Sequence, residues 1–336
     1  MPDIPVLLAL IVVIALVFDF TNGAHDSANA IATIVSTKVL SPRTAVLMAA
    51  SLNLAGAFLG TEVAQTVGSG IVGPDVVSGC RILVLAALFG AIFWNLLTWY
   101  LGIPSSSSHA LVGGLMGAAI AYKGWATPSY GSIFQKVIMP LLLSPVAGFL
   151  CGYFLMVLLS WICVNSHPRA VNKTFKKLQI VSSAFMATSH GLNDAQKTMG
   201  IITLALVIFK IQPDVSIPAW VKVACAAAMG LGTAMGGWKI VKTMGHKIFK
   251  LEPVHGFAAE TAASAVIMSA SALGAPISTT HTISTTVIGV GASKRFSAVR
   301  WGVAANLVVA WVLTIPASGL MAALCFWALE LLGLDG

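Results

Sequence analysis

Two short polar motifs hold the residues of this sequence that could bind or transfer ions. NGAHDSANA (22–30) places an acid, a histidine and two asparagines between apolar runs, and HGLNDAQKT (190–198) repeats its glycine and aspartate in the same register. Carboxylate and amide oxygens bind hard cations, and carboxylates also carry protons. Asp26 and Asp194 are therefore the first candidates for an ion-coupling pair.

A second pair of motifs is rich in hydroxyl groups. GIPSSSSH (102–109) and GAPISTTH (274–281) each place a proline before a run of hydroxyl residues that ends in histidine. Ser and Thr favour helix N-caps, and a helix start presents free N–H groups that bind anions, phosphate especially. The alternative is that these hydroxyls bond only their own backbone. The candidate anion-binding residues are therefore the two hydroxyl runs, Ser105–Ser108 and Ser278–Thr280.

Composition places these motifs at membrane depth. The chain is 57% hydrophobic and 9% charged, with a mean hydropathy of +0.91, a balance that no soluble protein of this size needs. Besides apolar runs long enough to span a bilayer, four shorter ones occur, which we interpret as halves of broken or re-entrant helices: 28–35, 110–121, 198–209 and 282–292. The predicted fold is an all-α membrane protein with about ten to twelve membrane segments, including two re-entrant helical hairpins.

A further acid, Glu260, lies in the otherwise small and apolar stretch 256–268. An ionised side chain at the bilayer centre costs about 2.5–3.5 kcal/mol on insertion scales, so it needs a cavity, a counter-ion or a partner. The alternative is a purely structural role, in which the carboxylate is hydrogen bonded to a neighbouring serine or backbone amide. The predicted ion-coupling residues are Asp26, Asp194, Glu260, Asn22 and Asn193.

The two motif pairs recur in the same order roughly 170 residues apart, which indicates a duplicated unit. We predict a first transport repeat at 1–163, a basic cytoplasmic linker at 164–178 and a second transport repeat at 179–336. Duplicated membrane halves with interrupted polar segments are typical of inverted-repeat secondary transporters, whose substrate site lies near the membrane midplane.

The net charge of +8 is concentrated in short loops, which argues against nucleic-acid binding. Excess Lys and Arg in short loops marks the cytoplasmic side, whereas both termini lack basic residues. We therefore expect a multi-pass protein of the cytoplasmic membrane, surrounded by membrane lipid, with both termini outside. No Walker, HExxH or GxSxG motif occurs, and we expect neither an enzyme nor a cofactor.

Carboxylates together with hydroxyl-rich helix starts indicate an anion carried with a cation or a proton. A carboxylate accepts a hydrogen bond from a protonated oxyanion such as HPO₄²⁻, whereas sulfate offers no proton at neutral pH. The competing classes are a metal-dependent membrane enzyme, an ion channel and a carrier of another oxyanion such as sulfate. The even division of polar residues between the two copies favours a transport pathway.

The stretches NGAHDSANAIAT, SHGLNDAQKTMG, GIPSSSSH and GAPISTTH resemble the signature repeats of the inorganic phosphate transporter (Pit) family. The likeness covers both halves of the chain except the central loop. It implies an inverted-repeat fold with two re-entrant hairpins and phosphate uptake coupled to H⁺ or Na⁺. It also assigns Asn29 to the site, beside the acids given above, and it implies that the substrate-binding hydroxyl residues are Ser107, Ser108, Thr279 and Thr280.

Two positions resemble the proton-coupled bacterial branch of that family. Sodium-coupled members typically carry Asn at the position of Lys197 and Glu at the position of Asn53. A lysine ammonium there could neutralise Asp194 or bind phosphate, which leaves less need for Na⁺; alternatively, Lys197 snorkels to the membrane interface. We favour H⁺ coupling, with Na⁺ as the alternative, and add Asn29 and Lys197 to the substrate-binding residues.

We expect inorganic phosphate as the substrate, either free or as a divalent-metal complex, and assign no metal ligands. A homo-oligomer is possible because helix faces rich in small residues abound. The histidines of the four motifs have no assigned role: His25, His109, His190 and His281.

Overall fold

The computed structural model describes residues 4–70, 80–128 and 130–334, and within these ranges the chain is helical with no strand. A single α-turn (Tyr130–Ile133) and a π-helix (Phe134–Ile138) lead into one long helix, and a second π-helix (Thr243–Lys247) follows a short one. The helices are α1 (Ile4–Ser36), α2 (Pro42–Gly56), α3 (Glu62–Gly70), α4 (Ile82–Leu101), α5 (Ser107–Lys123), α6 (Met139–Ile162), α7 (Pro168–Ile208), α8 (Ala219–Met235), α9 (Trp238–Lys242), α10 (Pro253–Ala272), α11 (Thr279–Lys294) and α12 (Trp301–Leu331).

Four of these helices are long and apolar enough to cross a membrane: α1, α4, α6 and α12. A fifth span is added if α8 and the segment 238–247, which meet at 61°, count as one bent span. The all-α membrane class is therefore confirmed. Helix length and hydropathy therefore support four or five spans and not the predicted ten to twelve segments. The re-entrant hairpins stay a prediction.

The polar motifs of α1 and α7 lie inside continuous helices, so the interpretation of 28–35 and 198–209 as halves of broken helices is wrong. Their glycines serve close helix packing instead. A Cβ on Gly23 would lie 2.4 Å from the Met229 carbonyl oxygen, and a Cβ on Gly191 would lie 2.1 Å from the Asn53 carbonyl oxygen. Small residues at such contacts let helix backbones approach each other within a membrane.

The hydroxyl motifs do form breaks. Gly102 and Gly274 follow the ends of α4 and α10 with φ of 71° and 67°, a left-handed conformation that glycine adopts without strain. Ser106 and Ser278 are then the N-caps of α5 and α11, and each accepts a hydrogen bond at 3.2 Å from the backbone N–H three residues later. The runs 110–121 and 282–292 thus belong to short helices that begin inside the protein.

The helices of the two predicted repeats are interleaved. The last helix of the first repeat, α6, packs against α11, and the last helix of the second, α12, packs against α5. Likewise, α1 packs against α8 and α7 packs against α2. This exchange places α5 and α11 beside the central pair of α1 and α7, where their hydroxyl residues can meet the acids.

The segment 164–178, predicted as a linker, is a loop only as far as His167. Pro168 begins α7, a position where a proline loses no helical hydrogen bond, and the His167 ring nitrogen caps the Arg169 N–H at 3.2 Å. Most of the basic residues of this segment therefore lie on the first turns of α7. The repeat boundaries themselves stay a prediction.

Candidate functional site

Two stripes of polar residues face each other along α1 and α7. On α1 they recur every three or four residues, a spacing that places them on one face of the helix. They lie between two clusters of buried apolar side chains. The α1 stripe consists of Asp19, Asn22, Asp26, Asn29 and Thr33, all at most 3% exposed. The α7 stripe consists of Gln179, Ser182, His190, Asn193, Asp194 and Lys197, also at most 3% exposed.

Asp26 receives hydroxyl groups from both short helices. Ser107, in the first turn of α5, donates to its Oδ2 at 3.2 Å, and Thr280, in the first turn of α11, donates to its Oδ1 at 3.2 Å. The neighbouring His25 Nδ1 lies 2.7 Å from Oδ1, and its Nε2 lies 3.0 Å from the Thr98 hydroxyl. Asp26 thus accepts two hydroxyl groups and lies beside a histidine, with no lysine or arginine paired to it among the described residues.

Asp194 has a permanent counter-ion. The Lys197 ammonium donates to its Oδ1, Thr279 donates to its Oδ2 at 2.8 Å, and His190 Nε2 lies 3.0 Å from Oδ2. Lys197 also donates to the Ser108 hydroxyl and to the Ile277 carbonyl oxygen, the latter at 2.8 Å. The alternative in which Lys197 snorkels to the membrane interface does not hold, because its side chain is only 3% exposed and points into the site.

Asn29 joins the two halves of the site. It occupies the position of α1 that corresponds to Lys197 on α7, and its Nδ2 donates to the hydroxyls of Thr279 and Thr280 at 3.2 and 2.9 Å. Its Oδ1 has no hydrogen-bond partner within the described residues. The structure therefore brings together the two acids, Asn29, Lys197 and the four predicted substrate-binding hydroxyl residues.

The two acids lie close enough to share a cation. Asp26, His190 and Asp194 each offer a ligand atom, and these atoms lie within 4.8 Å of one another. Lys197 is paired with Asp194, whereas Asp26 has His25 Nδ1 at 2.7 Å and no lysine or arginine paired with it among the described residues. The residues at this centre are at most 7% exposed, which closes it to solvent.

Glu260 lies outside this centre. It is fully buried in α10 and accepts hydrogen bonds from Thr33, Ser182 and Gln179, the last at 3.3 Å. Thr33 is seven residues beyond Asp26, which places this cluster about 10 Å along the helix axis. Sequence analysis missed these three partners, although they continue the three-and-four spacing of the two stripes.

The two predicted asparagines also lie apart from the carboxylates. Asn193 donates to the Ser271 hydroxyl at 2.8 Å and to the Ala275 carbonyl oxygen at 3.5 Å. Asn22 is 1% exposed, and its Oδ1 has no partner in the described part of the chain. Neither side chain has a hydrogen bond to Asp26 or Asp194 among the described residues.

The remaining histidines stack between the short helices. The rings of His109 and His281 lie 4.5 Å apart, and His281 stacks on Trp311 at 3.9 Å. The Trp311 indole N–H donates to the Pro104 carbonyl oxygen at 3.1 Å, which ties α12 to the turn before α5. His190, in contrast, contacts Asn53 Oδ1 through its Nδ1 at 3.0 Å.

An all-helical membrane protein with a closed, charged centre between two helix starts belongs to the class of membrane transport proteins. A family model described as the phosphate transporter family matches residues 22–168 and 164–322. The chain belongs to the phosphate transporter family. This is a family of transporters and not of enzymes, as the sequence motifs predict.

Individual relatives extend over almost the whole chain. The sequence is 48% identical over 328 residues to the probable low-affinity inorganic phosphate transporter of Bacillus subtilis (strain 168), covering 97% of this chain and 98% of that protein. It is 50% identical over 331 residues to the one of Rhizobium meliloti (strain 1021), covering 97% of each. A solved structure described as the sodium-dependent phosphate transporter has a TM-score of 0.87 and 26% identity, covering 97% of this chain and 99% of that one.

Proposed function

We propose that this protein imports inorganic phosphate across the cytoplasmic membrane by symport with H⁺. The observation that carries the proposal is the buried ion pair between Lys197 and Asp194, at the start of both short helices. A fixed ammonium at this place neutralises one acid without a bound ion. It also offers a positive charge to an oxyanion.

The phosphate site is proposed to lie between the first turns of α5 and α11. Helix starts bind anions through free N–H groups and the positive end of the helix dipole. The hydroxyls of Ser107 and Thr280 now donate to Asp26, and that of Thr279 donates to Asp194. Phosphate oxygens can take over these donors, with Asn29 and Lys197 completing the site.

Protonation of Asp26 is proposed to couple the proton to the phosphate. An ionised Asp26 repels a phosphate dianion, and it occupies two of the hydroxyl groups that would otherwise donate to phosphate. A protonated Asp26 carries no charge and becomes a donor itself, so it can hydrogen bond to a phosphate oxygen. Binding of the proton and binding of phosphate therefore favour each other. Glu260, Asn22 and Asn193 are proposed as further ion-coupling residues.

Coupling to Na⁺ is the second candidate. It is supported by the clustered ligand atoms of Asp26, His190 and Asp194 and by the sodium-dependent neighbour. Against it, a Na⁺ bound to Asp194 would lie beside the Lys197 ammonium and be repelled by it. Transport of sulfate is disfavoured because the Asp194 carboxylate, paired with Lys197, can accept a hydrogen bond from HPO₄²⁻ but not from sulfate.

The architecture is proposed to be an inverted repeat, with transport repeats at 1–163 and 179–336 and a basic cytoplasmic segment at 164–178. The turns into α5 and α11 are the proposed re-entrant hairpins, and both termini lie outside. The matched glycine turns and N-caps support this arrangement. A divalent-metal complex of phosphate and a homo-oligomer remain further hypotheses.

The deciding experiment is uptake of radiolabelled phosphate into proteoliposomes, with Na⁺ and pH gradients imposed separately. We expect accumulation with an inside-alkaline gradient in Na⁺-free buffer, and little further uptake when a Na⁺ gradient is added at fixed pH. Excess unlabelled sulfate should leave phosphate uptake unchanged. Removal of divalent metal ions with a chelator tests whether the transported species is a divalent-metal complex of phosphate. Accumulation that needs Na⁺ and ignores the pH gradient would overturn H⁺ coupling.

A further inference from the structure

A third acid of α1, Asp19, lies in the protein interior without a counter-ion among the described residues. It is fully buried, and Thr198 donates to its Oδ1 at 3.0 Å. Its Oδ2 has no hydrogen-bond partner within the described ranges. Asp19 precedes Asp26 by seven residues, so it lies on the same face of α1, about 10 Å along the axis.

The charged and titratable groups around Asp19 come from two neighbouring helices. On α7, Asp194 and Lys197 act on it electrostatically from a distance, and they are already paired with each other. On α8, the thiol of Cys225 lies beside the carboxyl. The third helix packed here, α4, has no acid, lysine, arginine or histidine in its sequence. No cation forms an ion pair with Asp19 in the part of the chain that the structure describes.

This environment suits a carboxyl group that carries a proton. A buried carboxylate without a cation is strongly disfavoured, whereas the protonated, neutral form is tolerated. A purely structural role would satisfy both oxygens with strong donors, but within the described residues Oδ2 has no hydroxyl, amide or backbone donor, and only the weakly donating thiol of Cys225 lies beside the carboxyl. Asp19 therefore differs from Asp26 and Asp194, whose oxygens are both engaged.

Polar groups connect Asp19 to the central site. Asn22 lies one turn further along α1, and its Oδ1 is buried without a partner; the same is true of Asn193 Oδ1 on α7. Asn22 lies between Asp19 and Asp26 along α1, so its acceptor and the two carboxyl groups can hold bridging waters, each of which needs only a few polar partners. A buried route for a proton thus follows the α1 stripe.

We propose that Asp19 is the proton-loading residue of the transporter, which passes the coupling proton to Asp26. The carboxylic acid of Asp19 gives its proton to the first of a short chain of bridging waters beside Asn22, and the last of these waters gives a proton to the Asp26 carboxylate. Asp19 becomes ionised and Asp26 neutral, and no other reactant is consumed. The inference rests on the proposed coupling to H⁺, and it assigns a role to an acid that does not touch the phosphate site.

The test uses the full-length Asp19→Asn variant in proteoliposomes. Exchange of phosphate for phosphate at equal pH needs no net proton movement, so it should stay within about twofold of wild type, whereas accumulation driven by an inside-alkaline gradient should fall at least about tenfold. A pH dye inside the vesicles should report the same loss of proton uptake. The matched control is Asp214→Asn, which changes an exposed acid and should alter none of these values.

Asp19→Glu keeps a carboxyl group and should restore accumulation. If Asp19→Asn does not fold, Thr198→Val provides the second measurement, because it removes the hydroxyl that donates to Oδ1. That loss should shift the pH of half-maximal accumulation by roughly half a unit or more. An unchanged pH profile, or full accumulation and proton uptake by Asp19→Asn, overturns the inference.

The wild-type protein separates this inference from the proposed function. If wild type accumulates phosphate only under a Na⁺ gradient, proton coupling fails, and the role of Asp19 fails with it. If wild type responds to the pH gradient and Asp19→Asn does so equally, only the role of Asp19 is overturned.

Discussion

The surroundings of Asp26 and of Asp194 have the same plan but opposite electrostatics. Each aspartate lies on a long helix and accepts hydroxyl groups from the start of a short one. At the corresponding positions beyond them, α1 has Asn29 and α7 has Lys197. Asp194 therefore has a permanent cation, whereas Asp26 accepts hydroxyl groups and lies beside His25, His190 and Asp194, with no lysine or arginine paired to it among the described residues.

This difference is what the proposed function rests on. The acid of one half is paired with Lys197, whereas the acid of the other half has no lysine or arginine paired with it among the described residues. Two identical halves would carry either two unmatched acids or two fixed cations. Substitutions around Asp26 and substitutions around Asp194 should therefore have different effects on transport.

The largest expected effect is that of Asp26→Asn, which removes the acid that exchanges its proton. Accumulation driven by a pH gradient should fall to the background of empty vesicles. Asp194→Asn should do the same for a different reason, because Lys197 is left buried without its partner. Phosphate accumulation in proteoliposomes is the measurement. Normal accumulation in both variants contradicts any coupling role for these residues.

Lys197→Asn makes the second half resemble the first. Removing one partner of a buried ion pair costs roughly 3–5 kcal/mol, so the variant should unfold at a lower temperature. Phosphate uptake should fall at least about tenfold, and Na⁺ should now stimulate what remains, because Asp194 needs another cation. The measurements are the thermal unfolding temperature and phosphate uptake with and without Na⁺, each compared between the variant and wild type.

The control for this variant is Lys197→Asn combined with Asp194→Asn, which removes both charges. It should recover most of the lost thermal stability without recovering transport. A single variant as stable as wild type would show that the ion pair does not balance the buried acid.

Asn29→Ala tests the contact between the two halves. It removes the hydrogen bonds to Thr279 and Thr280 without changing charge, at a cost of about 1–1.5 kcal/mol. The KM for phosphate should rise roughly five- to tenfold, with a smaller change in maximal rate. An unchanged KM is the outcome that excludes Asn29 from the substrate site.

The smallest effect is expected for His281→Phe. An aromatic ring at this position keeps the stacking between His109 and Trp311, so uptake and its pH dependence should stay within about twofold of wild type. His281→Ala is the matched variant that removes the ring and should lower thermal stability. A large change of the pH profile in His281→Phe would instead assign proton transfer to the stacked histidines.

Much of the central site was predictable because the duplication marks it twice. Asp26 and Asp194 stand at matched places, as do the hydroxyl runs, and the structure brings these residues together. The breaks predicted in α1 and α7 were wrong for a definite reason. A glycine beside polar residues suggests a bend, but Gly23 and Gly191 are needed where another helix backbone passes.

Composition, helical periodicity and repetition are local properties, so the chain alone determined the membrane class, the polar stripe of α1 and the matched motif pairs. Partnerships between distant residues depend on how the helices pack. Lys197 with Asp194 and Ser108, Thr33 with Glu260, and Thr198 with Asp19 arise only once α5, α10 and α7 lie against their neighbours. Charge compensation depends on such distances, so the different charge environments of the two aspartates became visible only in the folded protein.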